Sequence, residues 1–240
     1  MNLNLDGKVA LVTGSYRGTG AGIAERLGAE GAHVIVHGFL EDETQFVFEQ
    51  LANKEINVTR LEANLLDLDH DEIKSLLPPI DILINNYGTP RRSSWESTES
   101  WIEEWEHNVL MGVKLSQVVV GGMSDRGWGR ILFMGTIGIE NPGTHSPGYY
   151  GSKAALVPIV KSLARELNQT GITVNLINPG MIATAEVKEM LQKSARKKGI
   201  EADWCEIERW ATSEFMPNLT GRLSTPESIG DIVAFIVSDL

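Results

Sequence analysis

Short apolar runs alternate with longer amphipathic ones along almost the whole chain. "KVALVT" (8–13), "AHVIVH" (32–37), "INVTRLEA" (56–63), "IDILIN" (80–85), "GRILFM" (129–134) and "ITVNLIN" (172–178) have strand length. They are rich in Val and Ile and alternate little, as expected of parallel strands covered on both faces. Helical patterns lie between and after them, over 18–30, 42–54, 69–77, 99–123 and 149–169. A last one, "PESIGDIVAFIVSD" (226–239), opens on Pro226 after Thr225, a good cap and first-turn pair. Repeated strand–helix units with right-handed crossovers predict an α/β fold with a doubly wound parallel sheet. No linker, repeat or low-complexity tract divides residues 1–240, so a single domain is expected.

The first strand-to-helix turn is unusually bare. "TGSYRGTG" places Gly14, Gly18 and Gly20 between an apolar run and an amphipathic one. Ordered glycine costs backbone entropy, so the bare backbone must gain something. At this place it permits a tight turn and close approach of a phosphate to a helix N-terminus. A tight turn needed only for packing is the alternative.

A second constellation is "YYGSK". Tyr149 and Lys153 are four apart at the start of a helix and project from one face. A phenol ordinarily titrates near ~10, and an ammonium beside it favours the phenolate. Tyr150 is three residues from the same lysine, so spacing alone does not exclude it.

Composition narrows the function. The 240 residues carry a formal net charge of −11, against a broad nucleic-acid or anionic-membrane surface. No apolar stretch reaches the roughly 18 residues of a membrane span. One cysteine, Cys205, allows no internal disulfide, and five histidines show no ligand spacing, so no metal is expected. With no signal-peptide pattern at the start, a reducing, cytoplasmic setting is the expectation.

Taken in order, the motifs resemble the short-chain dehydrogenase/reductase family in its single-domain, Rossmann-fold branch, from Lys8 to Asp239. "TGSYRGTG" is similar to that branch's cofactor loop, including Thr19. "NNYG" (85–88) resembles its Asn-Asn-Ala-Gly motif, with Tyr87 in place of alanine, and puts Asn86 and Gly88 at the cleft. "GRILFMGTIG" resembles the strand that delivers the catalytic serine, and "NPGMIAT" (178–184) the segment beside the nicotinamide, with Pro179, Gly180, Ile182 and Thr184. The family register selects Tyr149 over Tyr150. It puts Thr136, thirteen residues earlier, in the serine's position, and Asn108 in that of the structural-catalytic asparagine. Asn64 and Leu65 end the third strand, where the family usually has an acidic or polar residue near the adenine. Simple strand capping is the alternative for Asn64.

The resemblance implies hydride transfer between a nicotinamide cofactor and a carbonyl or secondary alcohol. Tyr149 is then the general acid/base, Thr136 polarises the carbonyl, and Lys153 lowers the tyrosine pKa and holds the ribose. Asn108 holds a water through its backbone carbonyl. NADP(H) is expected over NAD(H): the second strand ends near Gly38 with no carboxylate, while Arg17 is placed to reach a 2′-phosphate, with His37 as an assistant. The competing function is a catalytically silent dinucleotide-binding regulator, which has no need of Asn108, Tyr149 and Lys153 in register.

Three further expectations follow. The family's last strand, with its Val-Asp-Gly-Gly segment, has no counterpart before Leu240, so either the sequence stops short of it or the sheet has one strand fewer. The variable segment, about 185–223, would cover the substrate, its Trp204, Trp210, Phe215 and Met216 contacting substrate or packing helices together. A homodimer or homotetramer is expected through the helices 99–123 and 149–169, the second of which has Leu156, Ile159, Val160 and Leu163 as surplus apolar residues.

Overall fold

The computed structural model describes residues 3–88, 90 and 93–240. Six strands, β1 (Val9–Val12), β2 (His33–Gly38), β3 (Val58–Glu62), β4 (Ile82–Asn85), β5 (Gly129–Met134) and β6 (Ile172–Ile177), form one parallel sheet ordered β3-β2-β1-β4-β5-β6. The order reverses between β1 and β4, where Leu11 pairs with both Ile35 and Leu83. A crevice for a ligand opens at the carboxyl ends of the strands at such a reversal.

Each strand feeds both faces of the sheet, which is why its sequence hardly alternates. Ala10, Val12, Ile82 and Ile84 pack with Ile23 and Leu27 of α1 (Gly18–Ala29) and with Ile229 and Val233 of α9 (Pro226–Val237). Leu11, Leu83, Ile131 and Phe133 pack on the other face. Their partners are Ile73 of α3 (His70–Leu76), Leu115 of α5 (Met111–Asp125) and Leu156 of α6 (Pro147–Glu166). α1 and α9 touch through glycine: a Cβ on Gly22 would lie 2.7 Å from Pro226, and one on Gly230 2.8 Å from the Gly22 carbonyl. The remaining helix of this layer, α2 (Gln45–Ala52), starts three residues later than the pattern suggests.

Two expectations change, and a choice left open is narrowed. The pattern over 99–123 is broken into α4 (Thr98–Trp105), a π-helical turn (Glu106–Leu110) and α5. The apolar period is the same on both sides of such a turn, so periodicity does not reveal it. Leu156 and Val160 are buried, and Ile159 and Leu163 pack against the same core, so α6 has no surplus apolar stripe. The segment after β6 forms α7 (Ala185–Lys197), α8 (Trp204–Trp210) and a second π turn (Ala211–Phe215). Trp210 and Trp204 pack between these helices, while Phe215 and Met216 stay exposed. No helix among the described residues is long and apolar enough to cross a membrane.

Candidate active site

The glycines of the first turn answer two different demands. Gly14 and Gly18 have φ of 62° and 56°, a conformation that side chains resist. Gly20 is conventional, but a Cβ there would sit 2.6 Å from the Gly14 carbonyl oxygen. α1 then begins with no side chain bonded to its first-turn N–H groups and no acid in that turn, which contains Thr19. Those uncapped amides and the positive end of the helix fit a phosphate. Thr184 closes this side: its Cγ2 lies 3.4 Å from where a Cβ on Gly18 would be, and its hydroxyl caps α7 by accepting from Val187. In the same segment, the Pro179 carbonyl accepts from Ile137, Gly180 is open around its Cα, and Ile182 bridges to Ser224.

Across the reversal, the Asn86 amide donates to the Thr13 carbonyl at 2.8 Å. The Thr13 hydroxyl accepts from the backbone of Asn86 and Tyr87, at 3.0 Å each. Tyr87 fills the space between Phe39 and His107, at centroid distances of 4.4 and 6.0 Å.

His37 is corrected by the structure. Gly14 donates its N–H to Nδ1 at 3.0 Å, so the proton is on Nε2, which donates to the Ala63 carbonyl at 3.1 Å. Burial pushes its pKa down to about 4. It is a neutral strut under the glycine loop, not a cation for a phosphate.

The adenine side also departs from expectation. Leu65 is fully buried in the core. The Asn64 side chain closes a local turn, accepting from Leu66 at 3.3 Å and donating to Asp67 at 2.8 Å. At the end of β2 a carboxylate is present after all. Glu43 folds back so that one oxygen accepts from the Phe39 and Leu40 backbone, at 2.6 and 3.2 Å. A Cβ on Gly38 would lie 2.9 Å from that oxygen. Glu62 holds the fold-back by accepting from the backbone of Asp42 and Thr44 while pairing with Arg60. Arg17 instead pairs with Glu186, at 3.1 Å, both side chains more than half exposed. An exposed pair of that kind is worth about 0–1 kcal/mol, so the guanidinium is cheap to redirect.

At the carboxyl ends of β4 and β5, four polar side chains converge. Thr136 follows β5, and its hydroxyl accepts from Gly138 at 3.1 Å. The Tyr149 phenol faces Thr136, whose hydroxyl favours the phenolate, whereas the Tyr150 ring packs over Gly138 and Gly143. One turn on, Lys153 is buried and donates to the Met134 carbonyl at 2.7 Å. Asn108 reaches in from the π turn. A Cβ on Gly88 would lie 2.5 Å from Lys153 Nζ and 2.7 Å from Asn108 Oδ1, so only glycine leaves these two atoms room.

The electrostatics differ from the simple expectation. Burial pushes the Tyr149 phenol up to about 12, with Tyr150 and Glu104 adding to it and the Thr136 hydroxyl opposing. Burial pushes Lys153 down to about 8, against the pull of Glu104. Glu104 was missed in the sequence because it stands in "WIEEWEH", an acid-rich run that reads as a solvated helix face.

The residues present fit a dinucleotide. The glycine turn is a cradle that side chains would fill, α1 offers uncapped amides, and the Asn85 amide and Asn108 Oδ1 are among the buried groups of the described residues that have no hydrogen-bond partner.

Comparison with known proteins agrees. Residues 8–195 match the family model described as short chain dehydrogenase. The chain is 32% identical to the 3-oxoacyl-(acyl-carrier-protein) reductase FabG of Aquifex aeolicus, covering 100% of this chain and 94% of that one. It is 30% identical to a D-beta-hydroxybutyrate dehydrogenase of Cupriavidus necator, covering 98% and 92%. Among solved structures, L-sorbose reductase of Gluconobacter frateurii, complexed with NADPH and L-sorbose, superposes with a TM-score of 0.88 at 30% identity, covering 100% and 92%.

Proposed function

The chain belongs to the short chain dehydrogenase family, and from that premise we propose that it interconverts a carbonyl compound and a secondary alcohol with NADP(H). The observation that carries this reading is the convergence of Thr136 and Tyr149, whose phenolate the Thr136 hydroxyl favours, with Lys153 one helical turn on and beside Asn108 over Gly88. The cofactor, when bound, supplies or accepts the hydride. In the direction of reduction, the Thr136 hydroxyl donates to the substrate oxygen and orients it. Tyr149 gives that oxygen its proton, so that no free alkoxide has to form. Lys153 holds ribose hydroxyls and supplies positive charge beside the phenol, which lowers the cost of its anion. Asn108, on the π turn, holds a water that links Lys153 to solvent. In oxidation the same groups run in reverse.

NADP(H) is favoured by the NADPH complex of the sorbose reductase and by the freely redirected Arg17. Gly14, Gly18, Thr19 and Gly20 hold the pyrophosphate, while Asn86, Gly88 and the segment with Pro179, Gly180, Ile182 and Thr184 hold the nicotinamide half. Asn64 and Leu65 contribute backbone to the adenine side. The relatives named above act on a 3-oxoacyl group, a hydroxybutyrate and a keto sugar, so a small carbonyl substrate fits this reading. We place pairing between copies on α4, where Ile102 and Trp105 remain exposed, and the protein in the cytoplasm.

The test is nicotinamide absorbance with NADPH and a panel of ketones, 3-oxoacyl thioesters and keto sugars. Turnover that disappears in Tyr149→Phe supports the proposal. Tight NADPH binding with no turnover on the whole panel would instead favour a silent nucleotide-binding regulator.

A further inference from the structure

Glu104 is fully buried, one turn before Asn108. A buried carboxylate is costly unless it is compensated, and the proposed reaction gives this one no task. Its position gives it two. The Asn108 amide nitrogen donates to the Glu104 backbone carbonyl at 2.9 Å and to its carboxylate at 2.6 Å. A carboxylate only accepts hydrogen bonds, so the amide nitrogen must face it. Oδ1 is thereby turned the other way. It is buried without a hydrogen-bond partner, and it shares with Lys153 Nζ the space above Gly88. The second task is charge. Lys153 is buried and donates to the neutral Met134 carbonyl, and among the described residues Glu104 is the carboxylate whose field reaches it. Ser93 and Glu104 also seat the start of α6: a Cβ on Gly148 would lie 3.0 Å from Ser93 Oγ and 3.4 Å from Glu104 Cγ.

We infer that Glu104 is a positioning residue: it locks the Asn108 amide with Oδ1 toward the Lys153 ammonium and serves as that ammonium's buried counter-charge. The inference rests on the hydride-transfer reading for its purpose but not for its test. Among the described residues, the ionisable groups that face the Tyr149–Lys153 pair are Glu104 from α4 and Tyr150 from α6. A negative charge delays loss of a proton from either member of the pair. Glu104→Gln removes the charge, and its amide can present nitrogen as readily as oxygen to Asn108. The pair should therefore lose its first proton at lower pH, whichever residue gives it up.

The experiment reads this without turnover. Tyrosinate absorbance is titrated in wild type and in Glu104→Gln, each minus its Tyr149→Phe counterpart, so that the difference belongs to Tyr149. The expected result is a Glu104→Gln curve displaced to lower pH by about one unit, tenfold in the proton equilibrium. Where turnover is measured, the pH limb of alcohol oxidation should move the same way and kcat should fall, with KM for the cofactor within about twofold. Glu104→Asp keeps the charge but withdraws it by one methylene. It should move the curve less in the same direction, and it carries the test if Glu104→Gln does not fold. Curves that superpose on wild type in the folded variants overturn the inference. Absence of turnover with a shifted curve overturns the proposed reaction and leaves this one standing.

Discussion

The Glu43 carboxylate lies 2.6 Å from the Phe39 amide nitrogen, at the end of β2, where the strand itself ends in glycine. An acid at this place disfavours a 2′-phosphate and suits ribose hydroxyls. Glu43 therefore opposes the NADP(H) preference that Arg17 supports. In Glu43→Gln the ratio of NADPH to NADH affinity should rise by about tenfold, a moderate fraction of a close charge–charge interaction. Titrating both cofactors by fluorescence measures it. An unchanged ratio would mean that the carboxylate swings clear of the bound nucleotide.

Arg17 should act in the opposite sense. Its pair with Glu186 is exposed and weak, so the guanidinium can turn to a 2′-phosphate at little cost. A charged hydrogen bond of that kind is worth about 1.5–3 kcal/mol, so Arg17→Ala should weaken NADPH by roughly tenfold or more. NADH affinity should change by less than about threefold. Equal losses for the two cofactors would assign Arg17 to the pyrophosphate or to α7 instead.

Tyr149→Phe should lower kcat by roughly 10²–10⁴, the range of a lost general acid, with cofactor affinity nearly intact. Thr136→Ala should lower it as well, whereas Thr136→Ser keeps the hydroxyl and most of the rate. Tyr150→Phe should retain activity, because that ring packs over Gly138 and Gly143. Steady-state kinetics on a common substrate would rank the four variants, and a loss confined to Tyr150→Phe would reverse the assignment.

His37 should make stability depend on pH. Its folded pKa is depressed from 6.5 to about 4 by burial, so the unfolded chain takes up its proton first. The contribution is fully present above 6.5 and is lost as pH falls from there toward 4. It amounts to at most about 3 kcal/mol. His37→Gln can keep the bonds to Gly14 and Ala63 without a titrating group. Its urea midpoint should fall less steeply than that of wild type over this interval. Parallel curves would show that the imidazole does not stay neutral in the fold.

What the sequence determined by itself was whatever short-range chemistry encodes. Runs of Val and Ile at strand length, separated by 3.6-period segments, determine the alternating units and so the parallel sheet. Gly14, Gly18 and Gly20 are legible because backbone conformation is a local property of the residue. The pairing of a tyrosine with Lys153 is legible because the spacing puts both on one helix face, whereas Thr136, Asn108 and the choice of Tyr149 over Tyr150 come from the resemblance to the family's register. The π turn was not legible, since Asn108 sits in a helical period that continues on either side of it. The fold-back of Glu43 depends on Glu62, a residue of the neighbouring strand. The ion pair of Arg17 depends on where α7 comes to rest, and the neutrality of His37 depends on how deeply the turn above it is buried. Glu104 reads as one more acid on a wet helix until α6 closes over it. These are consequences of which distant segments pack together, and burial, which sets both hydrogen-bond partners and proton affinities, exists only once they do.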